Sequence, residues 1–213
     1  RQMENDTPNK IKISKEIIAT LPIETFPGKI VVIDNEKDAD NAVLQLNNER
    51  IIGFDTETRP TFKKGKSNHV ALIQLSTHDT CYLFRINRIG FTPAIKNLLE
   101  NESLLKVGIS LKDDFCMLSR LNGGQFIPRN FIELQKFVKK YNIEDQSLQK
   151  IYGIVIGKKI SKGQRLSNWE ADHLTENQQL YAATDAWSCI KIYEVLKSGK
   201  FKSPIYKIQP SSL

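Results

Sequence analysis

The stretch Arg50-Ile51-Ile52-Gly53-Phe54-Asp55-Thr56, followed by Glu57, restricts the possible folds more than any other part of this chain. Its β-branched and aromatic residues predict a buried strand, and such a run is too apolar to end in a charge without a compensating partner. Acids at the C-terminal end of a strand lie where α/β sheets place their ligand sites. Side chains two apart on a strand share a face, so Asp55 and Glu57 leave the sheet together. Two carboxylates placed so close repel unless a cation lies between them. A divalent metal is the simplest candidate, because hard cations such as Mg2+ take carboxylate, water and phosphate oxygens.

Spacing alone is weak evidence, since Asp34 with Glu36 and Asp38 with Asp40 repeat it. Those acids fall where a helix begins, and capping plus the helix dipole accounts for them. A second acid stands out for its surroundings. Asp185 lies among Ala182, Ala183, Ala186 and Trp187, in a helix expected over 176–198, and a carboxylate in such a buried stretch needs a partner. Tyr181 is one turn before it and leaves the same helix face, so a phenol and an acid can serve one site. Tyr141 and Asp145 share that spacing, so this pair too gains its weight from context.

Read in order, residues 1–12 are polar and expected to be disordered, and Ser14 caps a short helix over 15–20. A strand is expected over 29–34, a helix over 38–48, and a mobile basic loop over 59–68. Strands at 69–76 and 80–85 read as an antiparallel hairpin. Thr92-Pro93 starts a helix to about Asn101, a buried strand follows over 104–108, and a helix over 111–121 ends at Gly123-Gly124. Two further helices are expected between Phe131 and Tyr152. The last helix opens on a capping box, Thr175 with Gln178, and stops before Gly199. Antiparallel strands followed by alternating strands and helices predict an α/β fold, a mixed sheet with helices on both faces. The division expected is an extension over 1–28, one catalytic domain over 29–200 and a tail over 201–213.

Three segments together carry a resemblance. Phe54-Asp55-Thr56-Glu57, then Lys106-Val107-Gly108-Ile109 leading to Asp114, then Tyr181-Ala182-Ala183-Thr184-Asp185-Ala186 resemble the three motifs of the DEDD superfamily of 3'-to-5' exonucleases, in the branch with tyrosine before the last acid. Val70-Ala71-Leu72-Ile73-Gln74-Leu75, Leu166-Ser167-Asn168-Trp169 and Leu174-Thr175-Glu176-Asn177-Gln178 resemble the exonuclease domain of Werner-syndrome-type proteins, with RNase D as a relative. The resemblance implies an RNase H-like fold and a site in which Asp55, Glu57, Asp114 and Asp185 bind two divalent ions, Mg2+ or Mn2+, to hydrolyse a terminal phosphodiester. Tyr181 would orient the attacking water. Asp113 is adjacent to Asp114, and an ungapped alignment through Lys106-Val107-Gly108 selects Asp114.

The implied substrate is nucleic acid with a 3' end, DNA favoured and RNA possible, and the implied products are nucleoside 5'-monophosphates. The alternatives are an exoribonuclease resembling RNase D and a non-catalytic nucleic-acid-binding module on the same fold. Composition agrees with an acidic partner, since 31 Lys and Arg against 24 Asp and Glu leave a net charge of +7. Two acid-free loops concentrate that charge: Lys63, Lys64 and Lys66 with Arg59 in the first, Lys158, Lys159, Lys162 and Arg165 in the second, as candidates to line a phosphate track. Phe62 could stack on a base but is expected rather to tuck into the core or its margin, and Trp169 to hold the second loop against the last helix. Cys81, Cys116 and Cys189 show no metal-ligand spacing and read as reduced, mostly buried thiols, which places the protein in the cytoplasm. No apolar run approaches the roughly 18 residues of a membrane helix, and 213 residues leave no room for a helicase beside this domain.

Overall fold

The β-rich runs after the first basic loop pair as an antiparallel hairpin, and the rest of the sheet grows around it. The computed structural model describes residues 9–204. Six strands, β1 (Lys29–Ile33), β2 (Ile51–Thr58), β3 (Val70–Ser76), β4 (Thr80–Phe84), β5 (Leu105–Gly108) and β6 (Phe131–Glu133), form one sheet in the order β1-β4-β3-β2-β5-β6. The contacts β2/β3 and β3/β4 are antiparallel, while β1/β4, β2/β5 and β5/β6 are parallel. This is the mixed sheet that the sequence predicts.

The helices are α1 (Lys15–Thr20), α2 (Glu36–Leu46), α3 (Ile86–Ile89), α4 (Pro93–Leu99), α5 (Leu111–Leu121), α6 (Leu134–Phe137), α7 (Leu148–Ile156) and α8 (Glu176–Lys197). Alternation along β2 separates two layers. Ile52 and Phe54 face a core built from Ala39, Val43 and Leu46 of α2, Leu98 and Leu99 of α4 and Leu118 of α5. The residues between them face α8, where Ala182, Ala183 and Ala186 pack with Leu72 and Leu83. Helices therefore cover both faces, and no helix among the described residues is long and apolar enough to cross a membrane.

Three expectations change. Phe131–Glu133 is a strand, not the start of a helix, because it completes the open edge of β5, pairing Lys106 with Phe131 and Gly108 with Glu133. There the Phe131 ring packs edge-on to Phe54 at 5.3 Å and Phe115 at 4.8 Å, and the helix that remains shrinks to α6 and a 3-10 turn over Val138–Tyr141. Helix α2 starts two residues early because Asn35 caps it, accepting a hydrogen bond from the Asp38 amide. Residues 9–12 are docked: Ile11 bridges to Ile143, and Lys10 and Lys12 both pair with Glu144 at 2.9 Å. The expectation for residues 1–8 and 205–213 lies outside the described residues.

The segment after α1 runs beside the second basic loop. Ile23 bridges to Lys159, the Lys159 amide donates to the Pro22 carbonyl at 2.9 Å, and the Glu24 amide donates to the Lys159 carbonyl at 2.8 Å. Glu24 is the anchor of this contact, accepting from Lys158 at 2.7 Å, from Lys191 and from the Tyr152 hydroxyl. Burial alone would raise its carboxyl, but these three partners outweigh that and lower it to about 2. An acid depressed in the fold stabilises above its unfolded value and ceases to do so as pH falls through the folded one. Glu24→Gln should therefore lower the melting temperature at pH 7, with the difference from the parent shrinking between pH 4.5 and 2. An equal melting temperature at pH 7 would show that this anchor contributes nothing.

Candidate active site

The face of β2 that meets α8 carries Gly53, Asp55 and Glu57 in succession. Helix α8 lies so close that a Cβ on Gly53 would sit 1.9 Å from the Ala186 carbonyl oxygen. This contact brings Asp185, the neighbour of Ala186, down onto the two acids of the strand. Ligand oxygens of Asp55, Glu57 and Asp185 lie within 4.8 Å of one another. Glu57 and Asp185 are buried and Asp55 half-buried.

Asp114 approaches from α5. Its Oδ1 accepts a 2.5 Å hydrogen bond from the Thr56 hydroxyl, and its charge acts on both Asp55 and Glu57. Asp113 is exposed and lines two surface clefts. The turn into α5 is held by Glu133, whose carboxylate accepts from the amides of Ser110 at 2.9 Å and Leu111 at 2.8 Å, with Ser110 left-handed at φ 55°.

The electrostatics are those of acids crowded together and shielded from water. Burial, reinforced by the charges of Glu57, Asp185 and Asp114, pushes the Asp55 carboxyl well above the usual carboxylate range. Glu57 is raised by burial and by Asp185, against the opposing hydrogen bond from Gln74. Burial raises Asp114 to about 6 and Asp185 to about 7, the latter despite the hydrogen bond from Tyr181. Asp185 Oδ1 is buried without a hydrogen-bond partner among the described residues. Asp55, Glu57 and Asp185, the last with an orphaned oxygen, are an oxygen-only donor set that fits a hard divalent ion, and Asp114 stands beside this group rather than within it.

Tyr181 is 7% exposed, and burial together with the charges of Asp185, Glu57 and Asp55 pushes its phenol upward. It stays protonated near neutral pH, which suits it to hydrogen bonding rather than to acting as a base. Its ring lies 5.9 Å from that of Trp169, which is fully buried and closes the second basic loop over α8. Gln178 of the capping box adds to that closure, donating to Ser167 Oγ at 2.7 Å and to the Asn168 carbonyl at 3.1 Å. Asp145 of the look-alike pair is elsewhere, accepting from the Ile13 amide at 2.8 Å.

The basic residues divide. Lys63, Lys64, Lys66, Lys162 and Arg165 are exposed and make no ion pair among the described residues. Lys158 and Lys159 are half-exposed and already partnered: Lys158 pairs with Glu24, and the Lys159 ammonium donates to the Ala19 carbonyl at 3.1 Å. Phe62 does not tuck in, being 88% exposed at the tip of the first loop. Cys81 and Cys189 are buried as expected, whereas Cys116 is exposed, and all three are free thiols.

Two residues at the site went unassigned from sequence, Thr56 and Gln74. The available signal was a polar glutamine inside the otherwise apolar run Val70 to Leu75.

Residues 30–199 match the 3'-5' exonuclease family. The chain is 34% identical over 208 residues to the mouse protein named bifunctional 3'-5' exonuclease/ATP-dependent helicase WRN, covering 89% of this chain and 14% of that protein. It thus spans only a small part of that relative's length. Among solved structures, the Aedes aegypti Nibbler EXO domain superposes with a TM-score of 0.71 at 21% identity, covering 90% of this chain and 92% of that one. Escherichia coli RNase D follows with a TM-score of 0.70 at 20% identity, covering 81% of this chain and 45% of that one. These neighbours place the sheet and its helices in the RNase H-like arrangement.

Proposed function

We propose, since the chain belongs to the 3'-5' exonuclease family, that it hydrolyses the terminal phosphodiester of a nucleic acid from the 3' end, releasing nucleoside 5'-monophosphates. The convergence of Asp55, Glu57 and Asp185 from a strand and a helix more than a hundred residues apart in sequence carries this reading. Asp55, Glu57, Asp114 and Asp185 are assigned to hold two divalent ions, Mg2+ or Mn2+. Such ions would offset the phosphate charge and lower the pKa of the attacking water.

The chain's own groups do the rest. Tyr181, protonated and fixed by Trp169 and Asp185, orients the water by hydrogen bonding. Thr56 holds the Asp114 carboxylate at the end of β2 through one hydrogen bond. Lys63, Lys64, Lys66, Lys162 and Arg165 supply exposed positive charge for the phosphates. Lys158 and Lys159 brace the second loop against Glu24 and the end of α1. DNA is the first substrate of this proposal, given the similarity to the WRN protein. A reducing cytoplasmic location, supported by three free thiols, belongs to the same reading.

The deciding experiment incubates 3'-recessed DNA duplex, single-stranded DNA and single-stranded RNA with Mg2+ or Mn2+, with and without EDTA. Stepwise shortening from the 3' end that EDTA abolishes is expected, and its absence on every substrate ends the enzyme reading. In the same assay Asp114→Asn should cost about a hundredfold or more and Asp113→Asn little. The opposite order would transfer the role to Asp113.

A further inference from the structure

Gln74 touches both elements whose acids must converge. It is fully buried on β3 and is the direct cross-strand partner of Asp55. Its Nε2 donates to Glu57 Oε1 at 3.1 Å and reaches the Ala182 carbonyl of α8 at 3.4 Å. One amide group thus ties the end of β2 to the helix that bears Asp185. The arrangement leaves Gln74 Oε1 buried with no hydrogen-bond partner among the described residues. An orphaned acceptor is destabilising, and rotating the amide would set its oxygen against the Glu57 carboxylate and the Ala182 carbonyl, which is worse. The unpaired oxygen follows from keeping the donor on Glu57.

We propose that Gln74 is a positioning residue for the divalent-cation site: its amide fixes the Glu57 carboxylate relative to Asp185 and so sets the affinity for the ion. The proposal rests on the reading of these acids as metal ligands. A neutral donor suits the task. A lysine at this place would neutralise Glu57 and compete with the cation, whereas an amide occupies one oxygen and leaves the charge of the carboxylate in place. Groups that orient ligands in this way typically carry ten- to a hundredfold of metal affinity.

The test is Gln74→Met, which keeps length and bulk but removes both the donor and the orphaned acceptor. Calorimetric titration of the full chain with Mn2+ should show an affinity about tenfold weaker, with the metal-free melting temperature unchanged or higher. In the nuclease assay the Mn2+ concentration for half-maximal rate should rise, KM for nucleic acid should stay constant, and kcat should recover at saturating Mn2+. In a Glu57→Gln background the same substitution should weaken Mn2+ binding little further, since its effect runs through Glu57. Gln74→Asn, one methylene too short to reach Glu57, should behave alike and serves if the methionine variant does not fold.

Parent-like Mn2+ affinity in either folded variant, or an equal loss in the Glu57→Gln background, would overturn the proposal. A parent chain that binds Mn2+ but cuts nothing would end the nuclease reading and leave the role of Gln74 to be read from calorimetry alone.

Discussion

Asp55→Asn is expected to reduce hydrolysis at least about a hundredfold, roughly 3 kcal/mol of transition-state stabilisation, while making the metal-free protein more stable. Both effects have one cause. Asp55 is the acid on which burial and the charges of Glu57, Asp185 and Asp114 act together. Without a cation that repulsion opposes the fold, and with one it becomes binding energy. Acids raised in the folded state stabilise below their unfolded value, about 4, and that contribution disappears as pH rises through the folded one.

With Asp185 at about 7 and Asp55 and Glu57 also raised, the metal-free parent should lose stability from about pH 4 to beyond pH 7. The asparagine variant should lose less. Thermal unfolding in EDTA at pH 5 and pH 8 compares the two, and Mn2+ should raise the parent's melting temperature more than the variant's. A variant that is active, or that shows the parent's full pH dependence in EDTA, removes Asp55 from the centre of the site.

Gly53→Ala should be as damaging to rate through geometry alone. Its new methyl would stand 1.9 Å from the Ala186 carbonyl oxygen and 3.2 Å from an Ile190 side-chain carbon. The first neighbour is helix backbone, which cannot turn aside, so α8 must lift from β2 by about an ångström. Overpacking of this kind costs about 1–3 kcal/mol of stability, and a misplacement of that size at a reacting centre costs about a hundredfold in rate. The expected result is a folded protein with a lowered melting temperature, weak Mn2+ binding and little nuclease activity. Parent-like activity and melting temperature together would mean that α8 approaches β2 less closely than described.

Much of this architecture was legible in sequence wherever a local rule decided it. Thr175 with Gln178 announced the start of α8, Thr92-Pro93 the start of α4, and Ser14 that of α1, since caps act within one turn of chain. The β3/β4 hairpin was legible for a similar reason, its strands being joined by three residues. Phe131–Glu133 was not, because its strand state is conferred by the edge of β5, and its own apolar residues suit a helix equally. The ion pair of Lys158 was hidden too, for its partner Glu24 is 134 residues away.

The acids themselves followed the same division. Asp55 and Glu57 on one strand face, and Tyr181 and Asp185 on one helix face, are consequences of backbone periodicity and could be read directly from residue order. The tertiary structure decided that these two faces meet, through the close passage of α8 over Gly53 and the Gln74 amide that joins them. It also half-buried Asp114 against the Thr56 hydroxyl and left Asp113 in solvent. Periodicity assigns a side chain to a face of its own element, whereas which faces come together depends on packing between segments far apart in the chain, and that information lies in no single stretch of sequence.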